Sequence, residues 1–464
     1  MNIPKPESFR RFMFYCGPVL FTTAMGLGTS EVILYPHLTA KYGTGWLGWI
    51  VLALFFQTVW GMELARWVVV SGEHGVRANA RIISRPGAAI LITLMMFIGL
   101  VIPVWATAAA SALWEVLRFP ADIKTATVFW AVVTFALVFA LIFFSRIARK
   151  WAEIIASASL ILSWIILVIA VFYGISGQTA RNIADGLVNW NIPYDIDIWV
   201  FGSTVAWVGT GPGLLWYTYW MRDAGWGMAR YAEPIPGWFG ESKEYKAEGV
   251  LPDDDSPENV ANLKTWLRRS HWTIWLGYFL GSLVTILIFV GLSDSLLRPR
   301  GLVPQGFEVV RHQAQFFVPV CGSIGCALFL MMAWLLFFNT QIGMSESLVR
   351  QNADATTTLF GINIKRSYFI WWAVYLAISF GLVILLVYRK DLTIFKYITY
   401  SAMTSAVALV VSMAVTLIGT FTLYRKLPPR IRKAASPSPV WKFILALGVA
   451  YHIFWLGWAA ISKI

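Results

Sequence analysis

Gly209-Thr210-Gly211-Pro212-Gly213 interrupts an apolar run near its middle, and Gly26-Leu27-Gly28-Thr29-Ser30 interrupts another. Glycine costs about 1 kcal/mol and proline about 3 kcal/mol in a helix interior. Pro212 also removes a backbone donor. At membrane depth, irregular backbone is tolerated only where it is buried in protein or lines a cavity. Both stretches therefore mark an interior place in a membrane fold.

Outward from these stretches, apolar runs recur along the whole chain. Of its 464 residues 58% are hydrophobic and 13% charged. A soluble domain of that size would expose large apolar patches. A spanning helix needs about 20 mostly apolar residues, and eleven are expected, near 14–40, 45–70, 87–115, 126–144, 151–176, 196–222, 271–293, 314–340, 367–388, 395–424 and 439–461. The run after Arg11 is long, with no clear small-residue cleavage site, and reads as the first spanning helix. The formal charge of +13 fits loop bias beside a bilayer, not nucleic acid. Most of the 37 Lys and Arg fall in segments that share one side if the N-terminus is cytoplasmic and the C-terminus external. The polar insert 223–270 then lies inside, and Ser256-Pro257-Glu258 predicts a helix start there, over Asn259 to Arg269. Cys16, Cys321 and Cys326 form neither a disulfide framework nor a zinc pattern.

The first and sixth helices open two successive sets of five. Paired Gly/Pro-interrupted helices at matching places in two halves point to a transporter site. Unwound segments offer carbonyls to cations and half-helix N-termini to anions. The alternative is packing glycines and simple kinks. Neither His-Glu-x-x-His, nor a phosphate-binding Gly-Lys-Ser/Thr, nor a Gly-x-Ser-x-Gly elbow occurs, so no enzyme and no cofactor is expected. Without a fused ATPase motif, an ion gradient is the natural driving force.

Several motifs carry a family resemblance: Gly17-Pro18-Val19-Leu20, Lys41-Tyr42-Gly43 with Trp46-Leu47, Ala65-Arg66 with Ser71-Gly72, and Arg149-Lys150-Trp151-Ala152-Glu153. In order and spacing the chain resembles the natural resistance-associated macrophage protein (Nramp) family of proton-coupled divalent-metal transporters. The resemblance implies an all-α membrane fold with the inverted five-helix repeat of the amino acid–polyamine–organocation superfamily. It implies a ten-helix core over 1–430, with repeats near 14–176 and 196–424, and an added helix in 431–464. The departures fall on the chemistry. The family's Asp-Pro-Gly-Asn aligns with Gly28, Thr29, Ser30 and Glu31, and its Met-Pro-His-Asn with Gly211, Pro212, Gly213 and Leu214. The second family His falls at Thr218, and the helix 3 acids near Ile102 and Trp105. The expected function is movement of a cation, a divalent metal first, with a small organic solute or organic cation as the alternative. A membrane-embedded sensor or enzyme is the most remote reading.

The candidate substrate site is Gly28, Thr29, Ser30, Glu31, Gly209, Gly211, Gly213, Trp216 and Tyr217. Glu31 is the one acidic residue beside either interruption, hence the sole metal-ligand candidate and the first candidate for coupling. The bland alternative places it in a solvated vestibule. His37 is a second coupling candidate, although a lone His is more often a satisfied interface residue. Trp216 and Trp220 share a helix face, where rings could hold an organic cation; plain packing is the alternative. Glu63 and Arg66, three residues apart, read as a structural pair.

Overall fold

The computed structural model describes residues 1–8, 12–82, 86–143, 150–232, 248–305, 309–388 and 393–463. Arg149, at the head of one family-like motif, lies outside them. The described residues form helices and no strands. Among the described residues, ten helices are long and apolar enough to cross a membrane. With the helical run 13–42 as α1, these are α2 (Leu47–Ser71), α3 (86–117), α4 (Ile123–Phe143), α5 (Lys150–Gly174), α6 (Ile198–Asp223), α7 (Pro257–Arg300), α8 (Val318–Phe360), α9 (Ile364–Tyr388), α10 (Ile394–Thr422) and α11 (Pro439–Ile461). The face on which α1 begins is called the N face below.

The burial pattern separates inner from outer helices. Apolar 18-residue stretches of α2 and α6 are 78% and 89% buried, against 33% for those of α5 and α9 and 28% for that of α11. Helices enclosed by protein can carry polar groups, because neighbouring side chains bond them. Gln57 and Thr58 on α2 and Ser203 and Thr204 on α6 are all fully buried.

Three expected boundaries are corrected. The helix expected near 314–340 continues to Phe360 and carries a buried polar half, Asn339 to Asp354. That half packs on protein, not lipid, so hydropathy did not reveal it. The helix expected near 271–293 begins at Pro257, where the Ser256 side chain accepts the Asn259 amide at 3.3 Å. The surface helix read from Ser256-Pro257-Glu258 is thus the first part of α7. The third correction is in α3, which is two pieces, Pro86–Leu100 and Val104–Leu117. Ser379 of α9 bonds the freed Val101 carbonyl at 3.1 Å, and Gln341 of α8 accepts the Ala106 amide at 3.0 Å.

An amphipathic helix, Gly177–Asn189, was not expected at all. It lies over the opposite face, with the Asn182 carbonyl accepting from Thr44 at 2.8 Å and the Asn182 amide donating to Asp294 at 2.8 Å. Gly17 and Glu153, from two of the family-like motifs, meet where α1 and α5 begin: a side chain on Gly17 would collide with the Glu153 carboxylate.

Candidate functional site

The two interruptions differ in form. In α6 the helix stops at Ala206 and resumes through Gly211–Gly213 into Leu214. Gly209 and Gly211 take φ of +59° and +52°, which only glycine adopts freely. In α1 the interruption is a single π-helical turn, Leu27–Glu31, and the flanking residues keep right-handed dihedrals. Of these two interruptions, only that of α6 is unwound. Wide π turns of this kind are frequent at functional sites. Both interruptions leave backbone groups needing partners, and side chains from three other helices supply them, with Ser30 of α1 adding a fourth bond.

The two helices meet backbone to backbone. A Cβ on Gly26 would stand 2.9 Å from the Gly209 carbonyl carbon and oxygen, and one on Gly28 would collide with Thr340 and the Leu336 carbonyl of α8. Gly213 faces the Met25 side chain across the same crossing. Thr340 Oγ1 donates to the Met25 carbonyl at 2.9 Å. On the α6 side, Ser30 Oγ donates to the Trp207 carbonyl at 2.5 Å, Gln57 Nε2 to the Val205 carbonyl at 3.1 Å, and Tyr278 Oη to the Val208 carbonyl at 3.1 Å. Gln57 is itself oriented by His452, whose Nε2 lies 3.2 Å away while its Nδ1 donates to the Gly448 carbonyl at 2.8 Å.

Glu31 closes this cluster. It is 1% exposed, which removes the solvated vestibule. Its charge acts on the hydroxyls of Tyr35 and Tyr278, and Tyr35 lies beside Ser30 and the Gly209 backbone. Tyr278 adjoins Thr210. One carboxylate thus stands near the hydroxyls of Tyr35 and Tyr278 at the helix crossing. Among the described residues, no three of His, Cys, Asp and Glu gather as a metal-binding group.

The structure therefore brings together Gly28, Ser30, Glu31 and Gly209, with Gly211 and Gly213 just beyond. The Thr29 side chain lies outside the described residues. His37 sits apart, toward the opposite face: its Nδ1 donates to the Pro304 carbonyl at 2.9 Å and its ring packs 4.3 Å from Phe395. Trp216 and Tyr217 follow the break in the second half of α6, with the Trp216 ring beside Gly213. Trp216 Nε1 donates to Gln351 of α8 at 2.6 Å, and Tyr217 adjoins Thr273 of α7. The Trp in reach is Trp207, stacked 5.5 Å from Trp105 and bonded to Ser405 at 2.8 Å.

With this geometry in place, comparison with solved structures is informative. The fold is similar to that of solved membrane transporters. A manganese transporter from Eremococcus coleocola, solved as a mutant, superposes with a TM-score of 0.67 over 98% of this chain and 88% of that one, at 13% identity. MhsT in complex with L-phenylalanine gives 0.56 over 96% and 98%, also at 13% identity. Mhp1, a nucleobase-cation-symport-1 family transporter, gives 0.54 over 97% and 92%, again at 13% identity. No protein-family model matches the chain, and no curated protein does. The shared architecture is the inverted five-helix repeat with interrupted α1 and α6.

A second polar cluster lies nearer the N face and was not anticipated. Arg350 Nε stands 2.7 Å from Glu346 Oε1, and a second Arg350 nitrogen bonds Asp223 at the end of α6. Trp220 Nε1 donates to Glu346 at 3.3 Å. Beside it, Asp354 receives Tyr219 Oη at 3.3 Å and lies 3.0 Å from His74 Nε2, while His74 Nδ1 accepts the Arg77 amide at 3.3 Å. The cluster ties the second half of α6 to α8 and to the α2–α3 connection. A signal existed in the sequence: Glu346 and Arg350 are one helical turn apart, next to a polar run.

Proposed function

We propose that the chain is a secondary transporter that moves a cation, a divalent metal ion first, with Glu31 as the counter-charge. The observation that carries this reading is the buried carboxylate where the interrupted helices touch backbone to backbone. A buried carboxylate is costly without a compensating charge, and a transported cation or a proton supplies one. Alternation between the two would couple the ion to a proton gradient. The likeness to the Eremococcus coleocola manganese transporter supports the fold of such a machine and the metal class as the first candidate.

The ligand set argues for a hard ion. The hydroxyl oxygens of Tyr35 and Tyr278 stand near Glu31. Oxygen donors suit magnesium-like ions that keep part of their water. The chain should therefore carry magnesium in preference to manganese or ferrous iron. Uptake of each ion into proteoliposomes under a proton gradient tests this; manganese uptake exceeding that of magnesium would overturn the preference. The stacked Trp105–Trp207 pair favours a second reading, a small organic cation. Thermal stabilisation of the purified protein by organic cations and not by metals would support it over the first.

A further inference from the structure

We infer that a groove at the N-face end of α7 holds the headgroup of an anionic phospholipid. The groove has a volume of about 800 Å³ and runs between α7 on one side and Ala434 and Trp441 on the other. Its upper rim is basic. Lys264 and Arg268 are exposed and form no ion pair among the described residues. Arg66 also reaches the groove, but its charge is already met by Glu63. His271 Nε2, on the same wall, is buried and has no hydrogen-bond partner among the described residues. Arg432 and Lys433 stand exposed on the short helix Pro429–Ala435, whose Ala434 lines the groove.

Below the rim the same helix turns apolar. Arg268, Trp272, Leu276 and Leu280 follow at four-residue intervals, and the last three are 59%, 56% and 46% exposed. Cationic groups above a lateral apolar wall match a lipid in cross-section: headgroup, interfacial ring, then acyl chain. A soluble anion would use only the rim and leave the wall uncovered. Basic pockets between membrane helices recognise anionic headgroups by this combination.

The test uses the full chain in detergent and native mass spectrometry with added phosphatidylglycerol, phosphatidylcholine or glycerol phosphate. Phosphatidylglycerol should remain bound at activation energies that strip phosphatidylcholine, and glycerol phosphate should not displace it. Lys264→Ala with Arg268→Ala should weaken its retention about thirty-fold. Lys264→Arg with Arg268→Lys should keep it. Lys365→Ala with Arg366→Ala, at a separate basic rim on α9, should leave it unchanged. Equal retention of the two lipids in the wild-type chain overturns the inference, and that comparison decides alone if the alanine variant fails to fold. Retention unchanged in a folded alanine variant overturns it too. Displacement by glycerol phosphate at matched concentration would mark a free-anion site instead.

Discussion

Arg350→Met offers a quantitative test of the polar cluster that joins α6 to α8. Asp223, Glu346 and Arg350 have side chains 2%, 0% and 0% exposed, with the guanidinium between the two carboxylates. Removing one member of a buried ion pair leaves an uncompensated charge and costs about 3–5 kcal/mol, whereas replacing the whole set with neutral groups of similar shape is often close to neutral. Unfolding entropy of about 2.1 cal/mol/K per residue, over 464 residues, makes 1 kcal/mol worth roughly 1 °C. Arg350→Met should therefore lower the apparent melting temperature of the detergent-solubilised protein by about 3–5 °C. Adding Asp223→Asn and Glu346→Gln should restore most of the loss, because the buried charges disappear with their partner. A single variant within about 1 °C of wild type would mean the pair behaves as a solvated surface contact. A triple variant no better than the single one would assign the loss to shape, not charge.

Two further substitutions address the crossing and its support. Gly28→Ala places a methyl group against Thr340 and the Leu336 carbonyl, so α1 must move off α8; the expected cost is about 1–3 kcal/mol with loss of uptake, and a variant as stable and active as wild type would contradict the close approach. Glu63→Gln leaves Arg66 with the Ala435 carbonyl but no carboxylate, so stability should fall by about 3–5 kcal/mol while uptake per folded molecule is kept; a stable variant without uptake would give Glu63 a role in transport.

Most of the helical plan was legible because lipid-facing helices must be apolar over a fixed length. The α6 interruption was legible for a related reason: Gly209 and Gly211 at positive φ, with Pro212 between Gly211 and Gly213, leave few other conformations. The α1 interruption was legible in position and not in form. Its glycines serve close approach to α6 and α8, so the backbone widens by one turn and stays helical. The Glu63–Arg66 pair followed from spacing alone. The second half of α8 was hidden because Asn339, Gln341, Glu346 and Arg350 read as loop residues once lipid is assumed to be the solvent. Their solvent is protein. The hydroxyls of Tyr35 and Tyr278 around Glu31 were equally hidden, since only the crossing of α1, α6 and α7 brings them there.

The most direct test of the account is Glu31→Gln, measured as cation uptake into proteoliposomes across a range of pH. The substitution keeps the shape of a residue enclosed by Tyr35, Tyr278 and the α6 break, and removes its charge and its titration. The account predicts a folded, monodisperse protein whose uptake is abolished or no longer responds to pH. Uptake equal to wild type at every pH would contradict it and remove Glu31 from the transport site.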